Sequence, residues 1–118
     1  APPRELINGE ASATLTDYNN DAIADATINL ESQSGGKVPK GCRAVWLDIT
    51  ATGSGATDVV DIYESSSKAV KSITLDLDGT NPGHVVGRAI CDSNGNIYID
   101  ETGTVTACTI KVIGVEVN

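Results

Sequence analysis

With 118 residues and a formal net charge of −8, the chain is long enough for one domain with a modest core and too short for two. Its eight Lys and Arg residues are scattered, which argues against nucleic acids and acidic substrates, because phosphate contacts need clustered basic side chains. No stretch approaches the roughly 20 apolar residues of a membrane helix, so we expect no membrane partner either.

The first ten residues are predicted to form an extended arm outside the core. They hold two prolines and a single apolar pair, Leu6 and Ile7. A terminal segment of this kind is ordered only where another surface holds it, so these two side chains are the expected arm contacts. We therefore divide the chain into an N-terminal arm, residues 1–10, and a single β-sandwich domain, residues 11–118.

Two strands and a loop are predicted next, at residues 11–18, 25–31 and 32–41 respectively. The loop prediction depends on its three glycines, which supply unusual dihedral angles, and on Pro39, which lacks a backbone donor. Beyond it the pattern becomes more regular. In residues 44–50, Val45 and Leu47 fall on one face while Trp46 falls on the other, as in a strand with one buried face.

The same alternation predicts strands through the rest of the chain, at residues 58–64, 72–77, 85–91, 97–99 and 104–117. Asn94-Gly95 between two of them predicts a tight hairpin. In the long final strand, Gly114 is expected to mark a bulge or a bend where the strand changes partner. About eight strands with short connections favour an all-β, antiparallel two-sheet sandwich of jelly-roll type.

Three cysteines, an odd number, leave at least one outside any intramolecular disulfide. Cys91 and Cys108 both lie in predicted strands, so a bridge between them is geometrically conceivable. The alternative is that the cysteines act as small buried hydrophobic side chains, because cysteine is among the most buried residue types.

Four oxygen-bearing side chains are weak candidates for a calcium site: Asp92, Asn94, Asn96 and Asp100. An EF-hand loop places Gly at its sixth position, where this chain has Ile97, and the turn at Asn94-Gly95 explains the same residues without a metal. His84 has no second His or Cys at ligand spacing. We therefore predict no metal, no cofactor and no catalytic residue, and a protein that is not an enzyme.

Trp46 and Tyr63 both alternate with apolar residues and are predicted to point away from the core. Outward aromatic side chains are enriched at protein interfaces, and they also stack on sugar rings. These two residues are therefore the candidate interface or ligand-stacking residues. The alternative is that a loop or an edge of the sandwich covers them.

Three segments carry a resemblance to a known class: RELING at 4–9, VPKGCRAV at 38–45 and IKVIGVEV at 110–117. The arm, the opening of the β body and its close are similar to those of small β-sandwich capsid decoration (cement) proteins and head or tail accessory proteins of tailed bacteriophages. This resemblance implies a non-enzymatic virion protein, made in the host cytoplasm, that binds the major capsid protein or another virion protein. It also implies a homo-oligomer, with a trimer favoured.

Similar openings and endings occur in bacterial extracellular β domains, which leaves two alternatives. One is a secreted carbohydrate-binding or adhesion module that uses Trp46 and Tyr63 as its stacking surface. The other is a self-polymerising subunit of an extracellular filament, in which the arm would donate a strand to the next copy.

Overall fold

Alternating apolar residues produce strands along most of the chain. A computed structural model describes the backbone of residues 3–5, 13–14 and 26–117, with side chains for residues 26–116. Within these ranges the elements are β1 (Pro3–Glu5), β2 (Ala13–Thr14), β3 (Ala26–Asn29), α1 (Leu30–Gln33), β4 (Cys42–Gly53), β5 (Val59–Tyr63), β6 (Lys71–Asp76), β7 (Gly83–Ile90), β8 (Asn96–Thr102) and β9 (Val105–Val117). The predicted all-β class is confirmed.

The strands form two antiparallel sheets. One has the order β1-β9-β4-β7, with β2 also paired to β9, and the other has the order β3-β8-β5-β6. The pairing is nested along the chain: β5 pairs with β6, β4 with β7, β3 with β8, and β1 and β2 with β9. If β1 and β2 are counted as one edge position, this is the eight-strand arrangement of a jelly roll, which confirms the predicted architecture.

The core lies between the sheets and is aliphatic. On β4 the side chains of Val45, Leu47 and Ile49 are fully buried, as the alternation predicts. Val60 and Ile62 of β5 meet them from the other sheet. Each such side chain contributes about 1.5–3 kcal/mol on burial, and none of the described buried residues is aromatic, so stability depends on many branched aliphatic contacts.

The predicted strand 25–31 is too long by two residues, because the chain turns into α1 after Asn29. The Asn29 side chain accepts a hydrogen bond of 2.9 Å from the backbone N–H of Ser32, which caps the helix. Leu30 is fully buried at the first turn. The cap at Asn29 and the buried side chain of Leu30 therefore stabilise one helical turn. This turn takes the place of the predicted strand end and of the first residues of the predicted loop.

The predicted hairpin at Asn94-Gly95 is wrong. The turn itself forms, with Gly95 at φ +74° and its N–H donating to the carbonyl of Asp92 at 3.1 Å. However, β7 pairs with β4 in one sheet, whereas β8 pairs with β3 and β5 in the other. The turn consequently carries the chain from one sheet to the other, and it does not join two neighbouring strands of one sheet.

The bulge predicted at Gly114 is confirmed. Trp46 pairs with Gly114 and Leu47 with Val112, so Ile113 is the extra residue on β9. The free side of β9 changes partner at the same place, because β2 pairs with residues 111 and 112 while β1 pairs with residues 114–116. The bulge thus coincides with the change of partner from β2 to β1.

The arm prediction concerns residues that are only partly described. Pro3–Glu5 runs antiparallel to β9 at the edge of its sheet. Leu6 and Ile7, the expected arm contacts, lie outside the described residues. Their role and the division at residue 10 remain predictions.

Candidate functional site

One outer face of the sandwich carries two of the three large hydrophobic side chains that are exposed among the described residues, and charged groups lie beside them. We call it the Trp46 face, and it comprises outward side chains of β4, β7 and β9: Trp46, Asp48, His84, Val86, Arg88 and Glu116. Trp46 is 38% exposed and Val86 is 49% exposed. Because Trp46 pairs with Arg88 and Asp48 pairs with Val86, the two apolar side chains are diagonal neighbours.

The indole of Trp46 has little freedom. It lies over Gly114, where an added Cβ would be 3.3 Å from the ring atom Cδ1, so only glycine leaves ordinary room for it. The indole also lies near the Glu116 carboxylate and contributes slightly to the lowered pKa of that group. An exposed aromatic ring that is already fixed loses little side-chain entropy when it binds, which is the property of an interface anchor.

An ion pair supports this ring. Arg88 donates to the two carboxylate oxygens of Glu116, with Nη2 3.0 Å from Oε1 and Nε bonded to Oε2. The guanidinium lowers the pKa of Glu116, since the charged form accepts both bonds. The Trp46 face therefore presents an apolar ring beside an ion pair, in which Arg88 and Glu116 are bonded to each other.

The far end of the same face carries the one histidine of the sequence. His84 Nε2 lies 2.7 Å from Asp48 Oδ1, and the imidazole is 59% exposed. His84 is therefore a surface residue. The His84–Asp48 pair adds polar, hydrogen-bonding groups to one end of the Trp46 face.

Tyr63 lies on the outer face of the other sheet, where β5 pairs with β6 and β8. Its ring is flanked by Lys68 and Lys71, whose Nζ atoms are 6.0 and 5.9 Å from the ring centroid. Lys68 also contacts Asp100 at 3.2 Å. Because Trp46 and Tyr63 project from opposite sheets, the structure does not bring them together, and they cannot form one stacking platform.

Three of the four candidate metal ligands have other side-chain contacts, and Asn96 Oδ1 accepts a hydrogen bond of 2.8 Å from the Asn29 amide. Asp92 Oδ1 accepts from the backbone N–H groups of Asn94 and Asn96, and its Oδ2 accepts from Tyr98. Asp100 pairs with Lys68. Across residues 26–116, no group of three or more His, Cys, Asp or Glu side chains is arranged to hold a metal ion.

Sequence reasoning missed a buried carboxylate. Glu101 is 2% exposed, and neither of its carboxylate oxygens has a nitrogen or oxygen donor among the described residues. The thiol of Cys108 is the polar group beside it. The signal was present, because Glu101 follows Ile97 and Ile99 at a spacing of two on β8 and so shares their inward face.

Cys42 and Cys108 are buried, as expected of small hydrophobic side chains, and the neighbour of Cys91 is not the cysteine that the sequence analysis considered. The Cys91 sulfur lies 3.2 Å from that of Cys42. Cys108 pairs with Ala51 on β4, nine positions beyond Cys42, which is about 30 Å along the strand. The conceivable Cys91–Cys108 bridge is therefore excluded by distance.

Comparison with known proteins gives no family. The chain matches no protein-family model and no curated protein. Within the part of the chain that the structure describes, none of the helices has the length and apolar character needed to cross a membrane. The fold and the site therefore define a class only by architecture: a jelly-roll domain with a fixed, exposed tryptophan on one outer face.

Proposed function

We propose that this protein is a non-enzymatic structural protein of a virus particle, a capsid decoration protein that binds the lattice through its N-terminal arm and the Trp46 face. One observation supports this more than any other. Glu5 of β1 pairs with Gly114, and Gly114 pairs with Trp46 in the next strand, so the arm and the exposed indole share one sheet. Adjacent strands are about 4.8 Å apart, which places the two backbones about 10 Å from each other.

A contact made jointly by an arm and a neighbouring face suits a repeating lattice. The fixed indole would fill a pocket on one capsid subunit, while the arm would extend toward the next. Each attachment can be weak, because the second contact of a tethered pair is intramolecular and the copies on a shell act together. The partner is then the major capsid protein or another virion protein.

The fold is compatible with this proposal but does not select it, because jelly rolls occur in both viral capsid and lectin domains. The first test is therefore physical association. Particles from a culture that carries the gene are purified on a density gradient, and we expect the chain in the intact-particle fraction. The purified protein is expected to be a trimer by light scattering, with or without calcium. Absence of the chain from particles would end the proposal.

Replacing Trp46 by Ala is expected to weaken binding to particles by roughly 30-fold, the effect of removing an interface anchor worth about 2 kcal/mol. The measurement is co-sedimentation of purified protein with particles stripped of it. Tyr63→Ala is the matched control, because it removes an aromatic side chain from the opposite face. Equal losses in the two variants would show that the Trp46 face is not the contact.

A second candidate is a carbohydrate-binding module, favoured by one feature of the same site. The exposed ring of Trp46 lies beside Arg88 and Glu116, and sugars are bound by a stacking ring together with polar groups at its edge. A glycan array separates the two candidates. Glycan affinity that is lost in Trp46→Ala, together with absence from particles, would favour the module.

A further inference from the structure

Two cysteines that are 49 positions apart in sequence meet at one edge of the sandwich. Cys42 is the first residue of β4, and Cys91 directly follows the last residue of β7. Their sulfur atoms are 3.2 Å apart, and one thiol donates a hydrogen bond to the other sulfur. This is closer than ordinary packing requires, so the pair is placed for chemistry between the two sulfurs.

The backbone holds both cysteines in this position. The N–H of Cys91 donates to the carbonyl of Arg43 at 3.0 Å, which continues the β4–β7 ladder by one residue. The N–H of Cys42 donates to the carbonyl of Pro39 at 3.1 Å. The sulfurs therefore meet without any rearrangement of the sheet, and the small further approach to bonding distance falls on the side chains.

We propose that Cys42 and Cys91 form an intramolecular disulfide when the protein meets a disulfide oxidant, such as oxidised glutathione or a dithiol–disulfide oxidase. The oxidant's S–S bond breaks and the protein's S–S bond forms. Two protein thiols lose two electrons and two protons. The oxidant gains both and leaves as two thiols.

The surroundings assign an order to the two steps. Cys91 is half-buried whereas Cys42 is buried, so the oxidant first forms a mixed disulfide with Cys91. The Cys42 thiolate then attacks the Cys91 sulfur and expels the second oxidant thiolate. The Cys42 sulfur already lies 3.2 Å from the Cys91 sulfur, so the second step needs only a small movement of the two side chains.

The crosslink would tie the start of β4 to the connection between β7 and β8, where the chain passes from one sheet to the other. A loop of 49 residues would be closed, which reduces the freedom of the unfolded chain and raises the unfolding midpoint. This inference does not depend on the proposed virion role, because its readout is independent of particle binding.

The test counts thiols in the full chain. After incubation with oxidised glutathione, thiols are alkylated in denaturant and the protein is mapped by mass spectrometry. We expect the three thiols to fall to one, a mass lower by two hydrogen atoms, and a crosslinked peptide pair that contains Cys42 and Cys91. Dithiothreitol should restore three thiols and lower the unfolding midpoint.

Three variants complete the experiment: Cys42→Ala, Cys91→Ala and Cys108→Ala. The first two should abolish the crosslink and the response of the midpoint to dithiothreitol, while Cys108→Ala should keep both. Peptide mapping of the unmodified chain gives the answer even if a variant does not fold. Stable glutathione adducts, crosslinks between chains, a bond to Cys108 or three unchanged thiols would each overturn the proposal.

Discussion

Replacing Glu101 by Gln is expected to stabilise the protein at pH 8 by about 3 kcal/mol and to remove most of the pH dependence of its unfolding between about pH 5 and 8. Burial among apolar neighbours raises the pKa of the Glu101 carboxyl to about 7 from an ordinary value of 4.5. A shift of this size corresponds to about 3 kcal/mol between the two protonation states. The amide of Gln keeps nearly the same shape but carries no charge at any pH.

The direction of this pH dependence follows from the tighter binding of the Glu101 proton in the folded protein than in the unfolded chain. The folded protein holds the Glu101 proton up to about pH 7, whereas the unfolded chain releases it near the ordinary value of 4.5. The native state therefore has its full stability below about pH 4.5 with respect to this group. It loses that stability as the pH rises, until the penalty is complete above about pH 7.

The measurement is urea unfolding of both proteins at several pH values between about 5 and 8. Glu31→Gln is the matched control, because it makes the same chemical change at an exposed position. The difference in unfolding free energy between Glu101→Gln and the unmodified protein should grow with pH, while that for Glu31→Gln should stay nearly constant. Parallel curves for all three proteins would mean that Glu101 is not titrating in the native state.

Replacing Gly103 by Ala is expected to lower the unfolding free energy by about 3 kcal/mol or more. Gly103 has φ +80°, which costs a residue with a Cβ about 1–3 kcal/mol. The new Cβ would also overlap Oδ1 of Asp58. That carboxylate cannot move freely, because it is buried and accepts hydrogen bonds of 2.9 Å from the N–H groups of Ser54 and Gly55.

Gly41→Ala is the control for Gly103→Ala. A Cβ added at Gly41 meets nothing within 4 Å, and its φ lies outside the left-handed region. Its effect should stay within about 0.5 kcal/mol, the usual range for surface substitutions. The measurement is the denaturant midpoint of each variant. Similar small decreases in both midpoints would show that the Asp58 side chain moves aside at little cost.

Local patterns in the sequence predicted the properties of single strands, such as which face is buried and where a bulge lies. Alternation identified Val45 and Leu47 as inward and Trp46 as outward, and glycine chemistry located the bulge at Gly114. These properties depend on a few neighbouring residues, so they can be read without knowing the rest of the fold. The inward position of Glu101 can be read in the same way, because the alternation along β8 places its side chain on the buried face.

Relations between strands could not be predicted in this way. Asn94-Gly95 makes a turn, but only distant partners decide that the strands beside it join different sheets. The meeting of Cys42 with Cys91 and the separation of Trp46 from Tyr63 have the same origin. The candidate site is therefore predictable as single residues, whereas its grouping depends on pairings that are far apart in sequence.

The nested pairing of the strands also orders the events of folding. The β5–β6 pair closes the shortest loop, and each surrounding pair, β4–β7, β3–β8 and finally β1–β9, closes a longer one. Loop-closure entropy grows with length, so the middle of the chain is the least costly place to start and the two ends are the last to join. We therefore expect the N-terminal strand to join the sheet last and to leave it first, and its departure would leave the core between the two sheets intact.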